Sequence, residues 1–205
     1  MPDTMADVPT RTETTLDPKG RLQELEAALE REQRISKALR EVGLALGTTL
    51  DLDPLLELIL RNVTEALEAD RATLFLRDEQ RDELVSRVMF GGEVRSLRVK
   101  VGEGIAGHVA RTGKLLLVKD AYKDARFSPE FDVVAGYRAA GIVAAPMRNH
   151  LGRTIGVIQV LNKHHGDFTE TDGVLLSALA ALAGVSIDNS RLFLSVTQKN
   201  MLLLD

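Results

Sequence analysis

Three glycines near the middle of the chain have the spacing of a dinucleotide-binding turn. Gly102, Gly104 and Gly107 form a G-x-G-x-x-G pattern, and Asp120 ends the apolar run that follows, where such a fold binds a ribose. That chemistry requires a full crossover helix between two parallel strands. Gly113 interrupts the segment too early for such a helix, and the preceding strand belongs to an antiparallel meander. Without its context the motif is weak evidence for a nicotinamide or flavin enzyme.

No other set of residues in the sequence has a familiar catalytic pattern. The chain has no cysteine, which excludes thiolate nucleophiles, cysteine-ligated zinc, iron–sulfur clusters and thioether-linked chromophores. The G-x-S-x-G, H-E-x-x-H and Walker patterns do not occur. We therefore expect no enzymatic activity and no metal site.

Length and composition indicate a soluble, intracellular protein. The 205 residues are 44% hydrophobic and 27% charged, which is ordinary for a globular domain. The net charge of −4 and the absence of a basic stripe argue against a nucleic-acid partner. Residues 1–15 lack the apolar core of a secretory signal. The longest apolar run, residues 174–185, is too short for a membrane span. The expected location is the cytoplasm.

The N-terminal part of the chain divides into a tail and a helix. Residues 1–19 are polar and predict a disordered tail. Residues 20–48 show apolar positions at steps of three and four, which is typical of a coiled coil. We expect this narrow stripe to form a dimer seam, and the alternative is one amphipathic helix packed on its own domain. The stripe consists of Leu25, Ala28, Glu32, Ile35, Leu39, Val42 and Leu46.

The rest of the chain predicts a mixed α and β domain. Asp53 and Pro54 begin a second helix, and the apolar period changes to two after Asp70. Three strands, a short helix, an edge strand, a loop and two central strands follow in order. Thr169 and Asp172 form a capping box that opens a long helix near Glu170. Its own stripe consists of Leu182, Val185, Asn189, Leu192, Val196, Lys199 and Leu203.

The glycine-rich segment closely resembles one known family. "VGEGIAGHVARTGKLLLVKDA", residues 101–121, is similar to the G-x-G-x-x-G-x-V-A-x-T-G segment of GAF domains. The resemblance runs from "LGTTLDLDPLLELIL" to the helix near Ile187, roughly two thirds of the chain. It implies an α+β fold, with an antiparallel six-stranded sheet of GAF/PAS-like type and helices on both faces. The GAF domain would cover residues 49–190, between a signalling helix at 20–48 and a C-terminal helix extension at 191–205.

A second signature narrows the resemblance. Asn162, Lys163, Phe168 and Asp172 match four of the five positions in the N-K-x(n)-F-x3-D-E pattern. That pattern belongs to GAF domains of cyclic-nucleotide phosphodiesterases and related adenylate cyclases. Gly173 replaces the final glutamate. In that family the lysine and aspartate form a salt bridge that braces the fold and does not touch nucleotide.

The resemblance also implies where a ligand would lie. In phosphodiesterase-like GAF domains the nucleotide lies under the short helix, between the sheet and the loop before the fifth strand. The glycines would turn the backbone beneath the ligand, and the Ile105 and Ala106 amides would meet a phosphate. Thr73, Asp132 and Gln159 would bond to a purine or ribose. The corresponding positions are Thr73, Met89, Phe90, Ile105, Ala106, Ser128, Asp132, Ala135, Arg138, Ala139 and Gln159.

Several of these positions depart from cyclic-nucleotide binders. Phe90 stands where an aspartate often lies beside the base, and either stacks on a base or packs in the core. Ala135 and Ala139 replace threonine-type contacts, and Arg138 reaches either an anionic ligand or a loop carboxylate such as Asp132. The ligand is therefore a cyclic nucleotide, another small molecule or none. Residues 128–140 lack the loop histidine that haem-binding members use, so we expect neither haem nor bilin.

Two functions follow from these observations. The first is a regulatory sensor that binds a small ligand and passes the signal through the flanking helices of a homodimer to an output domain or partner protein. The second is a dimerisation or interaction module of the same fold without a ligand. Free methionine-sulfoxide reductases share the fold, but their chemistry requires the cysteines that this chain lacks.

Overall fold

The computed structural model describes residues 18–48, 52–90, 93–95, 97–130 and 137–202. The chain forms two compact units, Met1–Gln33 and Arg34–Asp205. The first contains the beginning of helix α1, which spans Pro18–Thr48. The predicted tail therefore lies almost entirely outside the described residues.

The second unit is built on an antiparallel sheet. Its strands are β1 (Ala69–Asp78), β2 (Glu83–Phe90), β3 (Glu93–Arg95), β4 (Arg98–Lys100), β5 (Leu116–Val118), β6 (Ile142–Arg148) and β7 (Thr154–Lys163). The order is β3-β2-β1-β7-β6-β5, and β4 also pairs with β2. Every described pair is antiparallel, so the dinucleotide fold is excluded. The predicted fold class is confirmed, and the short β3 adds one strand at the edge.

Within the described residues, three further helices and one 3-10 turn belong to this unit, which also includes the C-terminal part of α1. Helix α2 spans Leu52–Ala66, α3 spans Gly104–Thr112 and α4 spans Glu170–Leu202, with a 3-10 turn at Ala121–Lys123. Helix α4 begins at the predicted residue because the capping box forms. The Thr169 amide donates to Asp172 Oδ2 at 2.7 Å, and the Asp172 amide donates to Thr169 Oγ1 at 3.3 Å.

The two faces of the sheet carry separate hydrophobic cores. One face packs against α2 and α4, through residues such as Ile59 and Leu179. The other face packs against α3, through Ile105 and Val109. We call these the α4 face and the α3 face. The short helix and the long helices therefore lie on opposite faces, as the sequence predicts.

Some residues of the apolar stripe predicted for α1 are exposed, and others pack on the core. Leu25 is 62% exposed, but Ile35 and Leu39 pack against the α4-face core of the second unit. The side chains of Val42 and Leu46 lie outside the described residues. For Ile35 and Leu39 the correct interpretation is therefore the alternative, a helix packed on its own domain.

The seam of α4 divides in the same way. Leu182 packs on the α4-face core, whereas Val185 and Leu192 are 38% and 51% exposed. The side chains of Val196 and Lys199, and the whole of Leu203, lie outside the described residues. By length and composition the stretch Glu170–Phe193 passes the test for a membrane-spanning helix, and 56% of it is buried inside the protein. Such burial is typical of a core helix.

Helix α4 approaches β6 without an intervening side chain. A Cβ atom built on Gly184 would lie in hard contact with the Arg148 carbonyl oxygen and 2.8 Å from the Arg148 amide nitrogen. Both neighbours are backbone atoms, which cannot move aside without disturbing the strand. The helix can therefore lie at this depth only because residue 184 is glycine.

We predict that Gly184→Ala destabilises the protein by about 2 kcal/mol or more, because the overpacking outweighs the better helix propensity of alanine. Gly173→Ala, in the same helix, is the matched control. Its Cβ would meet the flexible end of the Leu115 side chain at 2.7 Å, so it should be near neutral. Urea unfolding of both variants measures the difference, and equal stabilities would contradict the role assigned to Gly184.

Candidate ligand-binding site

Two polar side chains lie side by side on the α3 face of the sheet. Thr73 on β1 is directly opposite Gln159 on β7, and Ala144 of β6 is on the other side of Gln159. Phe75 and Val157, two residues along the same strands, belong to the α3-face core. Because alternate residues of a strand share a face, Thr73 and Gln159 lie on that face too. We call them the polar row.

The polar row has no internal hydrogen-bond partners. Thr73 is 5% exposed and Gln159 is partly buried, yet neither side chain hydrogen-bonds to a described residue. The polar row is therefore available to a ligand that enters between the sheet and α3.

The glycine motif sets how α3 enters this region. Gly102 has a φ of +99°, which favours glycine, and a Cβ on Gly107 would collide with the Lys100 carbonyl. The Gly102 amide donates to the Gly107 carbonyl at 2.8 Å, so it is already bonded within the turn. The first two glycines form the turn, and the third lets α3 pack directly on β4.

The N-terminus of α3 has no side-chain cap. Glu103 occupies the N-cap position, but its side chain makes no capping hydrogen bond. Ile105 and Ala106, both 4% exposed, belong to the same core as Phe75 and Val157. Amides in the first turn of a helix favour an anion, so this end suits a phosphate or carboxylate.

Asn162 fastens the loop before β6 to the end of β7. Its Oδ1 accepts from the Ala140 amide at 2.7 Å, its Nδ2 donates to the Arg138 carbonyl at 2.9 Å, and its own amide donates to the Gly141 carbonyl at 2.9 Å. Its φ of +54° is one that asparagine tolerates better than most residues. The first residue of the N-K-F-D motif therefore positions the loop, a role that sequence reasoning missed.

Lys163 and Asp172 form the expected ion pair. Lys163 Nζ lies 2.5 Å from Asp172 Oδ2, and the two side chains are 7% and 4% exposed. Asp172 also accepts from the Thr169 amide and hydroxyl at 2.7 and 2.9 Å. Burial raises the pKa of Asp172, but the hydrogen bonds from Lys163 and Thr169 outweigh it and leave the pKa below its ordinary value. Phe168, 6% exposed, packs beneath the pair, with its ring 6.0 Å from Lys163 Nζ.

An arginine and a tyrosine beside the polar row were not predicted. Arg71 precedes Thr73 by two residues on β1, so it shares the α3 face. Its guanidinium carbon lies 3.8 Å from the centre of the Tyr137 ring, and Tyr137 donates to Asp70 Oδ2 at 3.1 Å. The position of Arg71 in the period-two pattern was the signal that could have identified it.

The remaining predicted site residues differ in burial and in the contacts they make. Ala139 is 1% exposed and belongs to the α3-face core, and Ser128 is partly buried. Arg138 is exposed and places its guanidinium 4.5 Å from the centre of the Tyr122 ring. The structure thus brings together Thr73, Ile105, Ala106, Ala139 and Gln159. The side chains of Met89 and Phe90, and the whole of Asp132 and Ala135, lie outside the described residues.

Comparison with known proteins decides the family. The family model for the GAF domain matches residues 51–187, more than half of the chain. The chain belongs to the GAF domain family. The GAF domain of a phosphoenolpyruvate-protein phosphotransferase from Coxiella burnetii has the same fold, with a TM-score of 0.68 and 24% identity over 80% of this chain and 98% of that one.

Curated relatives of this GAF domain include two phosphodiesterases of Drosophila melanogaster. The dual 3',5'-cyclic-AMP and -GMP phosphodiesterase 11 is 36% identical over 162 residues, 70% of this chain and 11% of the relative. The cGMP-specific 3',5'-cyclic phosphodiesterase is 34% identical over 179 residues, 78% of this chain and 16% of the relative. The chain therefore spans less than a fifth of the length of these relatives, and the similarity concerns only a part of each.

We predict that Lys163→Met lowers the free energy of unfolding by about 3 kcal/mol, because Asp172 is left buried without its cation. Lys119→Met removes an exposed lysine and should change little. If the ion pair only stabilises the fold, Lys163→Met should reduce the free energy of ligand binding by less than it reduces the free energy of unfolding. A variant that stays stable but loses ligand would instead place Lys163 in the binding site.

The same pair predicts an acid dependence. Because the folded-state pKa of Asp172 is below that of the unfolded chain, its ionised form stabilises the fold above about pH 4, and this contribution is lost as the pH falls further. Asp172→Asn should show a smaller loss of stability between about pH 5 and pH 3 than the parent protein. Urea unfolding across that range measures it, and parallel curves would argue against the assignment.

Proposed function

We propose that this GAF domain is a regulatory sensor that binds a small ligand between the α3 face and the loop held by Asn162. The observation that carries the proposal is the polar row, in which Thr73 and Gln159 lie within an apolar core without hydrogen-bond partners among the described residues. A catalytic role finds no support in the residues of this face. The chain would work with an output domain or a partner protein, in the cytoplasm.

We propose a cyclic nucleotide as the ligand. The uncapped N-terminus of α3 suits the cyclic phosphate, while Thr73 and Gln159 offer a hydroxyl and an amide to a purine or ribose. Arg71 adds a cation on the same face. The names of the two phosphodiesterase relatives are consistent with this ligand class.

Substitution of the polar row tests this proposal. Thr73→Val and Gln159→Leu should each weaken binding of cAMP or cGMP by about tenfold, the effect of one lost hydrogen bond. Their melting temperatures should stay close to that of the parent, because neither side chain bonds within the protein. Gln80→Ala, in the exposed turn between β1 and β2, is the control. Isothermal titration calorimetry gives the affinities, and mass spectrometry of extracts from the purified protein identifies any other ligand.

We further propose that the protein is a homodimer that transmits the signal through α1 and α4. Each helix exposes large apolar residues, Leu22, Leu25 and Leu29 on α1 and Val185, Leu192 and Phe193 on α4. The same residues favour the second candidate function, an interaction module without a ligand. Detection of a dimer that binds none of the nucleotides or extracted metabolites would favour that candidate.

Light scattering tests the dimer. The double variant Leu25→Glu/Leu192→Glu should be monomeric where the parent is dimeric at about 10 μM, because it places charge on exposed apolar positions of both helices. Leu39 is unsuitable for this test, since it packs on the core of its own domain. Leu151→Glu changes an exposed leucine in the β6–β7 turn and should leave the dimer intact. A parent protein that is monomeric at this concentration would exclude this route of transmission.

A further inference from the structure

Four arginines surround a cleft at the end of the sheet where β6 turns into β7. The cleft has a volume of about 360 Å³. Its arginines come from the end of β1, the last turn of α3 and the two sides of the β6–β7 turn. Two threonine hydroxyls and one carboxylate also line it. The arginine cleft consists of Arg77, Arg111, Arg148 and Arg153, together with Thr112, Thr154 and Glu79.

Most of this positive charge has no carboxylate partner. Arg77 pairs with Asp82 at 2.8 Å. Arg111, Arg148 and Arg153 form no ion pair within the described part of the chain, and neither does Glu79. Like charges at this spacing repel one another, and the protein as a whole carries a net charge of −4. Such a concentration of unpaired arginines is expected where an anion binds.

The cleft is partly organised before any anion arrives. Arg148 Nη2 donates to the Gly113 carbonyl at 2.7 Å and Nη1 donates to the Gly152 carbonyl at 3.2 Å, which fixes its guanidinium between the two turns. The Nε of Arg77 is buried and has no hydrogen-bond partner among the described residues. Guanidinium groups bind phosphate oxygens through pairs of parallel hydrogen bonds. The fixed Arg148 guanidinium, with three further arginines around it, therefore suits a phosphate-bearing anion.

The arginine cleft is separate from the polar row. Arg77 is four residues from Thr73 on β1, and Thr154 is five residues from Gln159 on β7. At about 3.4 Å per residue these separations are about 14 and 17 Å along the strands. The cleft also includes Thr112 and Gly113 at the C-terminus of α3. One small ligand cannot fill both.

We propose that the arginine cleft binds a small anion with two or more phosphate groups, as a second ligand site of this GAF domain. One phosphate would occupy the space between Arg148 and Arg77, and Arg111 and Arg153 would close on the rest of the anion. Thr154 adds a hydroxyl group at the rim. The shared chemistry is a polyphosphate group, carried by either a soluble metabolite or a lipid headgroup.

Titration of the full chain with pyrophosphate tests the proposal. Calorimetry should give saturable binding that weakens as sodium chloride is raised, because the contacts are ionic. Arg111→Gln/Arg153→Gln should weaken it about tenfold or more without loss of folding, since both side chains are exposed. Arg61→Gln/Lys119→Gln removes two exposed charges elsewhere on the domain and should bind pyrophosphate as the parent does.

Three results would overturn the proposal. The first is absence of saturable pyrophosphate binding, and the second is an equal loss of pyrophosphate affinity in the two double variants. The third is a loss of pyrophosphate affinity in Gln159→Leu that Arg111→Gln/Arg153→Gln does not show. Sedimentation with phosphatidylcholine vesicles that contain phosphatidylinositol bisphosphate then distinguishes a lipid headgroup from a soluble anion. Sedimentation that depends on Arg111 and Arg153 supports a lipid headgroup, and pyrophosphate binding without sedimentation supports a soluble anion.

Discussion

Two consecutive residues at the end of β7 attach structures on both faces of the sheet. Asn162 hydrogen-bonds to the loop before β6, through Arg138, Ala140 and Gly141. Lys163 pairs with Asp172 in the first turn of α4. The loop that borders the polar row and the long helix that leaves the domain therefore share one anchor. The contacts to the loop and to the start of α4 are therefore made by two adjacent residues of one strand.

Helix α3 has a different chemical character at each end. Its N-terminus lacks a side-chain cap. At its C-terminus the carbonyl of Gly113, in a left-handed C-cap, accepts from Arg148. Negative charge is favoured near the first end, whereas cations are favoured near the carbonyls of the second. The direction of one short helix thus places free amide groups at one end and a carbonyl that accepts from an arginine at the other.

The sequence predicted those parts of the fold that depend on local pattern. The apolar patterns of β1 and β7, the capping box of Thr169 and Asp172, and the glycines before α3 are all local, and each element appears where expected. The heptad stripe of α1 was ambiguous because leucine and isoleucine serve a dimer seam and a domain core equally well. Only the tertiary structure shows that Ile35 and Leu39 pack on the domain.

The candidate sites were harder to predict because they join residues that are distant in the chain. Thr73 and Gln159 are opposite each other only through the β1–β7 register, although the family resemblance identified both. Asn162 bonds to residues more than 20 positions away, which no spacing rule gives. The cleft brings together arginines from four elements or turns. Their convergence follows from the antiparallel topology and not from any motif. They are Arg77, Arg111, Arg148 and Arg153.

The contact between Gly184 and the Arg148 backbone has a mechanical consequence. Side chains between a helix and a sheet normally absorb small displacements by changing rotamer, but here backbone meets backbone and that compliance is missing. Gly184 therefore acts as a fixed pivot for α4. The helix continues for 18 residues to Leu202, an arm of about 27 Å at 1.5 Å per residue. A tilt of about 5° at the pivot would displace the far end by about 2 Å, a shift of the size seen when helices move at subunit interfaces.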